Sequence, residues 1–589
     1  MRVVYVTPPG RFPTVIHDPG RWWESVQGSV EIRSVSANAL WWSHLCTKEA
    51  VERVRERPER RWRRVWSRWT GRGREPVEAA KALEALTDPA TYRGFEVYRA
   101  ALAPLAQHLD LLNSVQDDLY FDVESGVRVL GLNYGSSEAV TRYAQQEDTA
   151  LYRMIRNAVI PALPEPDLLL LRATSPQDLV TGLIVAHIVR TEYPGAVIVL
   201  ADHWYENFSL SMHIGGGARL EPLMDVVDAV VEQRDGRDQT LLEVIHRMAD
   251  GVPPSGWLDA EHPPCGTPAY VRVASQLTER PTWMETETFS PVPIVSTRLS
   301  AAACYWRKCT FCVQNVKYGP EPAAPKEEVL DSIARVIGWS HHGIRDLIFA
   351  DEAVSVPTAR LLSTEFAGQG LRWSVRMKLE PSMTPDLFDA MYQAGCYEIL
   401  TGIESTSERT LKRMGKWTPG LDEVRMRHII EAMGSAGILP HLNLIGGFPG
   451  ESLKETVRSV DFVCETLADL PGATFLLNDF AVFPHTEIAR RPAAYGIELE
   501  VPSGDMPPAL RYRHVSSLDT ATRSDIEALR RRMNVALGWA DLDYAAGGEL
   551  ARYLFFTSGH GAWMKAEIVR QREEERVERD KESACLASS

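Results

Sequence analysis

Three cysteines lie close together in the segment STRLSAAACYWRKCTFCVQN. They are Cys304, Cys309 and Cys312, with the spacing Cys-x4-Cys-x2-Cys. Three thiolates on one short loop can converge on one metal centre, and the positive charges of Arg307 and Lys308 would favour ionised thiols. Zinc in a structural site takes four protein ligands. A 4Fe–4S cubane held by three thiolates instead keeps one iron open for a further ligand.

A zinc site at this loop would need a fourth ligand from elsewhere in the chain. His341 and His342 are the next candidates, and a full helix separates them from the loop. The other cysteines are too dispersed for a second cluster or a disulfide framework. They are Cys46, Cys265, Cys396, Cys464 and Cys585. The opening residues MRVVYVTPPG also lack a signal-peptide pattern, so we expect a reducing, cytoplasmic location.

Composition narrows the class of protein. The chain has 589 residues, 44% of them hydrophobic and 24% charged, which is typical of several globular domains with cores of their own. The net charge of −15 argues against a broad nucleic-acid or anionic-membrane surface. No apolar run reaches the roughly 18 residues that a membrane-spanning helix needs. Neither nucleic acid nor membrane is therefore expected as a partner.

The elements that must position the cysteines alternate between strand and helix over residues 294–500. The strand-like runs are Ile294–Leu299, Asp346–Ala350, Trp373–Met377, Glu398–Gly402, His441–Ile445 and Thr474–Val482. Amphipathic segments separate these runs and hairpin signals do not, which predicts a parallel sheet, open or curved into part of a barrel. The cysteines directly follow the first run, at the strand end where barrels place their chemistry.

Residues 1–255 predict a second α/β region. Its short apolar runs suit strands buried on both faces. These runs are Val3–Val6, Val127–Leu132, Leu168–Leu171, Val197–Leu200 and Val226–Val231. Between the third and fourth, Gln177–Glu192 has helical spacing and completes a βαβ crossover. The remaining segments are predicted as a helical insertion at about residues 15–125, a proline-rich linker at 256–293, and a small, mainly helical C-terminal region at 501–589 with a charged run at 564–582.

The insertion is rich in tryptophan and arginine. Its tryptophans recur at i, i+4 and i+7, so one face of a helix is aromatic. We expect that face to be buried and the arginines to be solvated, although bidentate arginines could also bind an anionic substrate. Single-stranded nucleic acid is disfavoured by the acidic total charge. The residues are Trp62, Trp66, Trp69, Arg60, Arg61, Arg63, Arg64 and Arg68.

Beyond the cysteines, the sequence resembles the radical S-adenosylmethionine (radical SAM) superfamily. The resemblance continues through DLIFADEAVS, WSVRMKLEP, GIESTSERTLKRMGK and NLIGGFPGES, in the superfamily's order. The usual spacing is Cys-x3-Cys-x2-Cys, so this chain has one residue more between the first two cysteines. The resemblance implies a partial (β/α)6 barrel over 294–500. It also implies that Cys304, Cys309 and Cys312 hold a 4Fe–4S cluster whose open iron binds the amine and carboxylate of S-adenosylmethionine.

The same resemblance implies roles for residues at the strand ends. Phe311 would stack near the adenine of the cofactor. Asp351 and Glu352 would accept hydrogen bonds from the methionine ammonium, the alternative being that they cap a helix. Arg376 would face a carboxylate or phosphate, the alternative being a salt bridge at the barrel rim.

Two further segments match cofactor-binding positions. Glu404 and Ser405 would meet the ribose or the methionine moiety, or else cap the following helix. The turn at 446–450, with Gly446 and Gly447, would let the backbone approach the adenine, or else is a plain turn.

The N-terminal region resembles that of the superfamily branch with a Rossmann-like cobalamin-binding domain ahead of the barrel. The matching features include YVTPPG, PDLLLLRATSPQDLV and the barrel tail VFPHTEIARRPAAYGI. Ala201-Asp202 replaces the usual Gly-Gly, and no Asp-x-His-x-x-Gly motif is present. A cobalamin would lie at the carboxyl ends of the strands, and the alternative is a degenerate domain kept for packing. The candidate residues are Pro8, Pro9, Thr174, Ser175, Gln177, His203 and Glu206.

The resemblance therefore implies a cobalamin-dependent radical SAM C-methyltransferase. Such an enzyme would methylate an unactivated carbon of its substrate, which would be a small molecule, typically a specialised metabolite, or a peptide. An external donor such as flavodoxin or ferredoxin would supply electrons. Rearrangement, ring contraction or cyclisation with the same cofactors is an alternative, and a zinc-stabilised binding protein for a peptide or carrier is an alternative of another class.

Overall fold

The structure of the chain is a computed structural model, and it describes most of the two predicted α/β regions. It describes residues 1–10, 16–19, 21–26, 30–47, 77–93, 95–115, 118–122, 126–173, 175–202, 221–231, 237–258, 282–285, 288–290, 292–300, 304–317, 326–470, 473–515 and 519–537. The aromatic and basic residues singled out at 60–69 and the charged run at 564–582 lie outside the described residues.

The strands are introduced in chain order. They are β1 Arg2–Thr7, β2 Ile16–His17, β3 Glu31–Ser36, β4 Leu119–Asp122, β5 Gly126–Val129, β6 Leu168–Ala173, β7 Val197–Asp202, β8 Ala229–Val231, β9 Gly256–Leu258, β10 Ile294–Thr297, β11 Asp346–Phe349, β12 Arg372–Arg376, β13 Cys396–Glu404, β14 Leu439–Gly446, β15 Thr474–Asp479, β16 Ile497–Leu499 and β17 Tyr512–His514.

The α-helices follow the same convention. They are α1 Arg21–Val26, α2 Ala37–Leu45, α3 Val77–Leu86, α4 Phe95–Val115, α5 Ser137–Ala144, α6 Ala150–Ala158, α7 Pro176–Glu192, α8 Arg237–Ala249, α9 Gln314–Lys317, α10 Lys326–Ser340, α11 Val356–Glu365, α12 Pro385–Gln393, α13 Glu408–Arg413, α14 Glu423–Ala436, α15 Leu453–Leu467, α16 Glu487–Arg490 and α17 Arg523–Ala536. None of those in the described part of the chain is both long enough and apolar enough to cross a membrane.

The first sheet is parallel and has the order β3-β1-β6-β7-β8-β9. Successive residues of its strands face two different cores. Leu169 and Leu171 pack with α7, whereas Leu168 and Leu170 belong to a core that continues into the barrel. The order of the strands reverses between β1 and β6, which is the switch point where doubly wound sheets bind ligands.

Three segments of this region depart from their predictions. Val127–Leu132 is not a strand of the main sheet, because β5 forms an antiparallel hairpin with the nearby β4. A short connection favours an antiparallel partner, since a parallel pair needs a long crossover. The predicted helical insertion also contains β3, which extends the first sheet beside β1. Finally, β9 lies inside the predicted linker and pairs with β8.

The second sheet has the order β15-β14-β13-β12-β11-β10-β2, and all its pairs are parallel. From β10 to β15, neighbours in the sheet are neighbours in the chain, with helices between them. This is the topology of a partial (β/α)6 barrel, and it confirms the predicted α/β fold class. All six carboxyl ends lie on one edge of the sheet, so the loops that follow them can share a site.

The short strand β2 ties the N-terminal region to the barrel. It pairs with β10 and is followed by Asp18, whose carboxylate accepts two hydrogen bonds from Arg335 at 2.6 and 2.8 Å. Thr297 also donates to Asp18 at 2.7 Å. Asp18 is 8% exposed, so this ion pair is shielded from water. Sequence periodicity gives no sign of this connection, because a two-residue strand has too few residues to show a pattern.

The C-terminal region covers one end of the barrel. The hairpin β16-β17 and the helix α17 follow the last barrel strand. In α17, Arg530 donates to the carbonyl of Leu477 at 2.7 Å and pairs with Asp479 at 3.1 Å. Asp505 accepts hydrogen bonds from the backbone and hydroxyl of Ser137, so this region also contacts the N-terminal one.

Candidate active site

The cysteine loop lies beyond the carboxyl end of β10. Cys304 forms an isolated parallel bridge with Ala353, beyond β11. The backbone N–H of Cys312 donates to the carbonyl of Cys309 at 3.2 Å, which closes a turn. All three cysteines are free and half-buried. The loop therefore stands on the face where barrel folds hold their ligands.

A left-handed residue accommodates the longer spacing between Cys304 and Cys309. Arg307 has a φ of 51°, a conformation that residues other than glycine and asparagine rarely adopt. Its guanidinium donates to the carbonyl of Cys304 at 2.9 Å. The indole N–H of Trp306 donates to the carbonyl of Gly415 at 2.9 Å. The loop between Cys304 and Cys309 thus makes a tight turn that a hydrogen bond to Gly415 anchors on the barrel.

Gly415, whose carbonyl accepts the hydrogen bond from Trp306, lies at a position that requires glycine. Gly415 has a φ of 69°, and a Cβ there would lie 2.0 Å from the carbonyl oxygen of Lys308. Next to it, Met414 accepts a hydrogen bond from the backbone of Thr310 at 2.9 Å, and Thr310 accepts one from Ile488 at 3.2 Å. The cysteine loop is therefore docked onto the turn that follows α13 and onto the start of α16.

The thiols lie in a buried environment that opposes their ionisation. Burial raises the pKa of Cys309 to about 11, and the positive charge of Lys416 opposes that shift. Burial also raises the pKa of Cys312, and the charges of Cys304 and Cys309 raise it further. The three thiols are thus within electrostatic range of one another, and a positively charged metal centre would relieve their mutual repulsion.

The cations that act on the thiols come from distant parts of the sequence. Lys416 and Lys378 are the cations that lower the pKa of Cys309. Lys308, which the sequence suggested for this role, is exposed, and its Nζ lies 4.8 Å from the centre of the Trp306 ring. Solvent screens an exposed charge far more than a buried one, so the local basic residues are not the main source of compensation.

Glu404 ends β13 in a strained backbone conformation. Its φ is 59°, at an irregularity in the register between β13 and β14. Its carboxylate lies 2.6 Å from Nζ of Lys416, and both side chains are largely buried. A Cβ at Gly402 would lie 2.1 Å from that carboxylate, so glycine keeps the space open. Burial lowers the pKa of Lys416, but Glu404 together with Cys309 outweighs burial and the net shift is upward.

The two neighbouring acids after β11 have different environments. Asp351 is 3% exposed and accepts a hydrogen bond from the backbone of Leu299 at 2.8 Å. Burial raises its pKa to about 6. Glu352 is half-buried and within electrostatic range of Cys312. Neither caps α11, whose N-cap is Ser355, so the capping alternative is wrong for both.

Arg376 ends β12 beside the same loop. Its guanidinium donates to the carbonyl of Ala350 at 3.4 Å, and its own carbonyl accepts from the backbone of Val354 at 2.8 Å. The side chain is half-buried at the strand ends. The structure therefore brings Arg376 to the same edge as the two acids.

Ser405 belongs to a buried polar network. Its hydroxyl donates to Glu451 at 2.7 Å, and Thr456 donates to the other carboxylate oxygen at 3.1 Å. Burial raises the pKa of Glu451 to about 7. The helix cap considered for Ser405 is wrong, since Ser407 caps α13 and its backbone N–H donates to Ser405 at 3.2 Å.

The glycine turn at 446–450 borders a pocket of about 370 Å³. The pocket lining consists of Gly446, Gly447, Asp479, Phe480, Tyr512, Ala521, Arg523 and Ile526. Gly447 has a φ of 78°, and a Cβ at Gly446 would lie 3.0 Å from Ile526. Phe448 in the same turn meets Phe311 edge-on, with ring centres 6.3 Å apart. The aromatic residue of the cysteine loop thus contacts the turn.

Comparison with known protein families identifies the domain that contains the cysteine loop. Residues 301–463 match the Radical SAM superfamily, and this range includes the three cysteines, Glu404 and the glycine turn. Residues 301–463 form a radical SAM domain. The superfamily prediction is confirmed for this part of the chain.

Curated relatives match over the same part of the chain. Cytidylyl-2-hydroxyethylphosphonate methyltransferase of Streptomyces wedmorensis is 29% identical over 177 residues, which cover 28% of this chain and 32% of the relative. Ribosomal protein uS12 methylthiotransferase RimO of Desulfosudis oleivorans is 26% identical over 191 residues, covering 30% of this chain and 42% of the relative. The chain thus spans less than half the length of these curated relatives.

Solved structures give matches over a larger share of the chain. The radical S-adenosylmethionine methyltransferase TsrM from Kitasatospora setae, with cobalamin and a 4Fe–4S cluster bound, is 14% identical with a TM-score of 0.46, and the match covers 69% of this chain and 90% of that one. The cobalamin-dependent S-adenosylmethionine radical enzyme OxsB, in its apo form, is 13% identical with a TM-score of 0.44, covering 68% and 64%.

The donor set of the radical SAM domain fits an iron–sulfur cluster. In a cubane each thiolate binds a different iron, so the three sulfurs need not surround one ion. Within the described residues, no group of three His, Cys, Asp or Glu side chains is arranged to hold a single metal ion. Half-buried thiols with Lys378 and Lys416 nearby suit a cluster of net negative charge.

The N-terminal candidates lie at the switch point of the first sheet. Pro8 and Pro9 follow β1, and Ser175 and Gln177 follow the neighbouring β6. Ser175 caps α7 by accepting from the backbone of Asp178 at 3.1 Å. The remaining candidates, Thr174, His203 and Glu206, lie outside the described residues. The crevice rule for open parallel sheets favours a ligand at this point.

The loops at the switch point are closely packed. Pro9 accepts a hydrogen bond from Thr181 at 2.5 Å, and Gly182 would place a Cβ 3.3 Å from Pro8. A Cβ at Gly10 would lie 2.2 Å from the carboxylate of Asp178, so a larger residue would displace that carboxylate. Small residues thus let the backbone of one loop approach the helix that follows the other.

Sequence reasoning missed the buried charges of the radical SAM domain. Lys378, Lys416 and Glu451 all lie in segments that carried the resemblance, yet none stood out by residue type or spacing. A charged residue just after a predicted buried strand was the one available signal. Whether such a side chain turns inward depends on tertiary partners.

Proposed function

We propose that the chain is a cobalamin-dependent radical SAM enzyme that transfers a methyl group to an unactivated carbon. The observation that carries the proposal is the cysteine loop of the radical SAM domain, where three half-buried thiols lie within electrostatic range of one another at the barrel strand ends. An unactivated carbon has no useful pKa, so acid–base groups cannot activate it and cofactors must supply the reactivity.

The cysteine loop would hold a 4Fe–4S cluster through Cys304, Cys309 and Cys312. When bound there, such a cluster would bind S-adenosylmethionine and would supply the electron that cleaves its sulfonium. The protein itself would contribute by holding the cysteine loop in a fixed place on the barrel. The hydrogen bond from Trp306 to Gly415 keeps the loop on the barrel.

The residues around the loop would bind the cofactor. Glu352 is proposed for the methionine ammonium and Arg376 for its carboxylate, since both stand at strand ends beside the loop. Glu404 would contact the ribose or the methionine moiety. Phe311 and the turn at 446–450 would border the adenine, which the edge-on contact between Phe311 and Phe448 supports.

Two residues predicted as cofactor ligands are better suited to positioning. Asp351 is bound to the backbone of Leu299 and would fix the approach to the cysteine loop. Ser405 is bound to Glu451 and would fix the end of β13, on which Glu404 stands. Both side chains already have buried hydrogen-bond partners, so turning toward a cofactor would break those bonds.

The crevice between β1 and β6 would hold cobalamin, which supplies the methyl group. Its position at the switch point of the first sheet supports this placement. The residues proposed to contact it are Pro8, Pro9, Thr174, Ser175, Gln177, His203 and Glu206. The names of two curated relatives, a methyltransferase and a methylthiotransferase, support group transfer of this type.

We propose a small molecule or peptide as substrate and an external flavodoxin or ferredoxin as electron donor. The relative from Streptomyces wedmorensis is named for a cytidylylated phosphonate.

Anaerobic reconstitution of the full chain tests the proposal. The protein is loaded with iron, sulfide and hydroxocobalamin, then incubated with S-adenosylmethionine and titanium(III) citrate. We expect a 4Fe–4S spectrum, bound cobalamin, and formation of 5′-deoxyadenosine and S-adenosylhomocysteine. Tetrahedral zinc at the three cysteines, with all four positions filled by side chains, would overturn the proposal and support the zinc-stabilised binding protein.

A rearrangement or cyclisation is the second candidate, because it would use the same cofactors. Product mass separates the two reactions. Methylation adds one methyl group to the substrate and forms S-adenosylhomocysteine, whereas a rearrangement leaves the mass unchanged.

A further inference from the structure

The loop between Cys304 and Cys309 carries an aromatic ring, Trp306, that two lysines approach. Nζ of Lys378 lies 4.0 Å from the centre of the Trp306 ring, and Nζ of Lys308 lies 4.8 Å from it. Cations near an indole face are attracted by its quadrupole. The Trp306 ring, which lies between the first two cysteines, thus contacts a lysine that follows β12 and acts electrostatically on Cys309.

The two lysines differ in exposure. Lys378 is 5% exposed, whereas Lys308 is exposed to solvent. A charge in a buried site acts through a lower effective dielectric than a charge in water, so its effect on a neighbouring ion is several-fold larger. Of the two, only Lys378 can act strongly on the cysteine loop.

The position of the Lys378 ammonium is fixed by three contacts. It donates to Thr418 and to the carbonyl of Leu379, the latter at 3.3 Å, and it rests on the Trp306 ring. That ring is itself fixed by its hydrogen bond to Gly415. These contacts hold the ammonium beside the cysteine loop.

The other charges near Lys378 are already engaged. Lys416 is paired with Glu404 at 2.6 Å, so much of its charge is offset. Glu380 also acts on Lys378, and it accepts a hydrogen bond from Tyr305 at 2.5 Å. Cys304 and Cys309 both act on Lys378 electrostatically.

We propose that Lys378 is a positioning charge that makes the cluster of the radical SAM domain easier to reduce. This inference rests on the proposed function, since it requires a 4Fe–4S cluster on the three thiolates. Such a cluster carries one net negative charge when oxidised, and it gains a second with one electron from a flavodoxin or ferredoxin. A fixed buried cation stabilises the doubly negative state more than the singly negative one.

The test is a redox titration of the reconstituted full chain, followed by electron paramagnetic resonance of the reduced cluster. We expect Lys378→Met to lower the equilibrium constant for reduction about tenfold, which is 59 mV for one electron. Lys378→Arg keeps the charge and should titrate close to the parent protein. Lys308→Met is the matched control, since it removes the exposed lysine near the same ring and should leave the potential unchanged.

Several outcomes would overturn the inference. A fully loaded Lys378→Met protein with the parent potential contradicts it, as does an equal shift in Lys308→Met. If Lys378→Met takes up less than one cluster per chain, Lys378→Gln is judged by the same criterion. Failure of the parent chain to form any 4Fe–4S cluster would instead refute the proposed function.

Discussion

The two parallel sheets of this chain differ in what their strand ends present. At the barrel edge stand thiols and buried ions, among them Lys378, Lys416 and Glu404. At the switch point of the first sheet, Pro8, Pro9 and the capping Ser175 pack against α7, from which Asp178 and Thr181 contact the same loops. The barrel edge therefore offers its own ligands and charges, whereas the first sheet offers a crevice defined by strand order.

The proposed cluster site and the proposed cobalamin site would thus be specified in different ways. A metal cluster requires particular side chains at fixed spacing, so its site is visible as a motif. A large organic cofactor in an α/β crevice requires space and backbone contacts. Such a site depends on topology and is only weakly visible as residue types.

The largest expected effect concerns the ligands of the barrel edge. Replacement of Cys304, Cys309 or Cys312 by alanine should abolish the iron–sulfur absorbance and all cleavage of S-adenosylmethionine, because each would remove one of three cluster ligands. Cys464→Ala is the control, since this half-buried cysteine lies in α15, away from the loop in the sequence. A cluster retained in any of the three variants would refute the ligand assignment.

The next effect concerns the ion pair that holds the β2 segment on the barrel. Arg335→Ala leaves the buried Asp18 carboxylate without its bidentate partner, and we expect the free energy of unfolding to fall by about 3–5 kcal/mol. Urea denaturation measures the change. Arg360→Ala removes an exposed pair with Asp386 and should cost less than about 1 kcal/mol. Equal losses of unfolding free energy in the two variants would show that the buried pair of Asp18 and Arg335 stabilises the fold no more than an exposed pair does.

A pH effect should arise from the buried carboxyl of Glu451. Its pKa is about 7 in the folded protein against 4.5 for an unburied glutamate, so the folded state holds the proton more tightly than the unfolded chain does. Its contribution to stability is complete below about pH 4.5 and is lost as the pH rises through 7, by about 3 kcal/mol in all.

Glu451→Gln tests this effect, because the amide oxygen can still accept from Ser405 and has no proton to lose. We expect this variant to lose less stability than the parent between pH 5 and pH 8 in urea titrations. Identical pH profiles for the two proteins would contradict the role of Glu451.

The smallest effect compares helix caps in the two regions. Ser175→Ala at the start of α7 and Ser452→Ala at the start of α15 each remove a side chain that accepts a backbone hydrogen bond. Each should cost about 1 kcal/mol, measured by urea denaturation. A much larger loss for Ser175 would mean that the switch point depends on this loop for more than capping.

Much of the barrel could be predicted from the sequence. Its six strands lie where the apolar runs placed them, because each βα unit pairs with its neighbour in the chain and no distant partner has to be guessed. The first sheet was predicted less completely. The strands β3 and β9 lay in segments predicted as insertion and linker, and Val127–Leu132 joined a hairpin instead.

The sequence predicted several side chains at the barrel edge but not their electrostatic arrangement. The cysteines, Glu352 and Glu404 lie at the barrel edge as expected, whereas Asp351 and Ser405 are bound inward. The choice between an inward and an outward orientation depends on which partners packing brings within hydrogen-bond distance. Spacing along the chain carries no information about those partners.

By itself, the sequence determined the kind of chemistry and the order of the elements that carry it. Residue type fixes what a thiolate can bind, and short-range periodicity fixes strands and helices. Only the tertiary structure decided that Lys378 and Lys416 act on the thiols, that Arg335 holds the β2 segment on the barrel, and that Arg307 adopts a left-handed conformation. These features depend on contacts between segments far apart in the chain, where burial and distance set the energy of each charge.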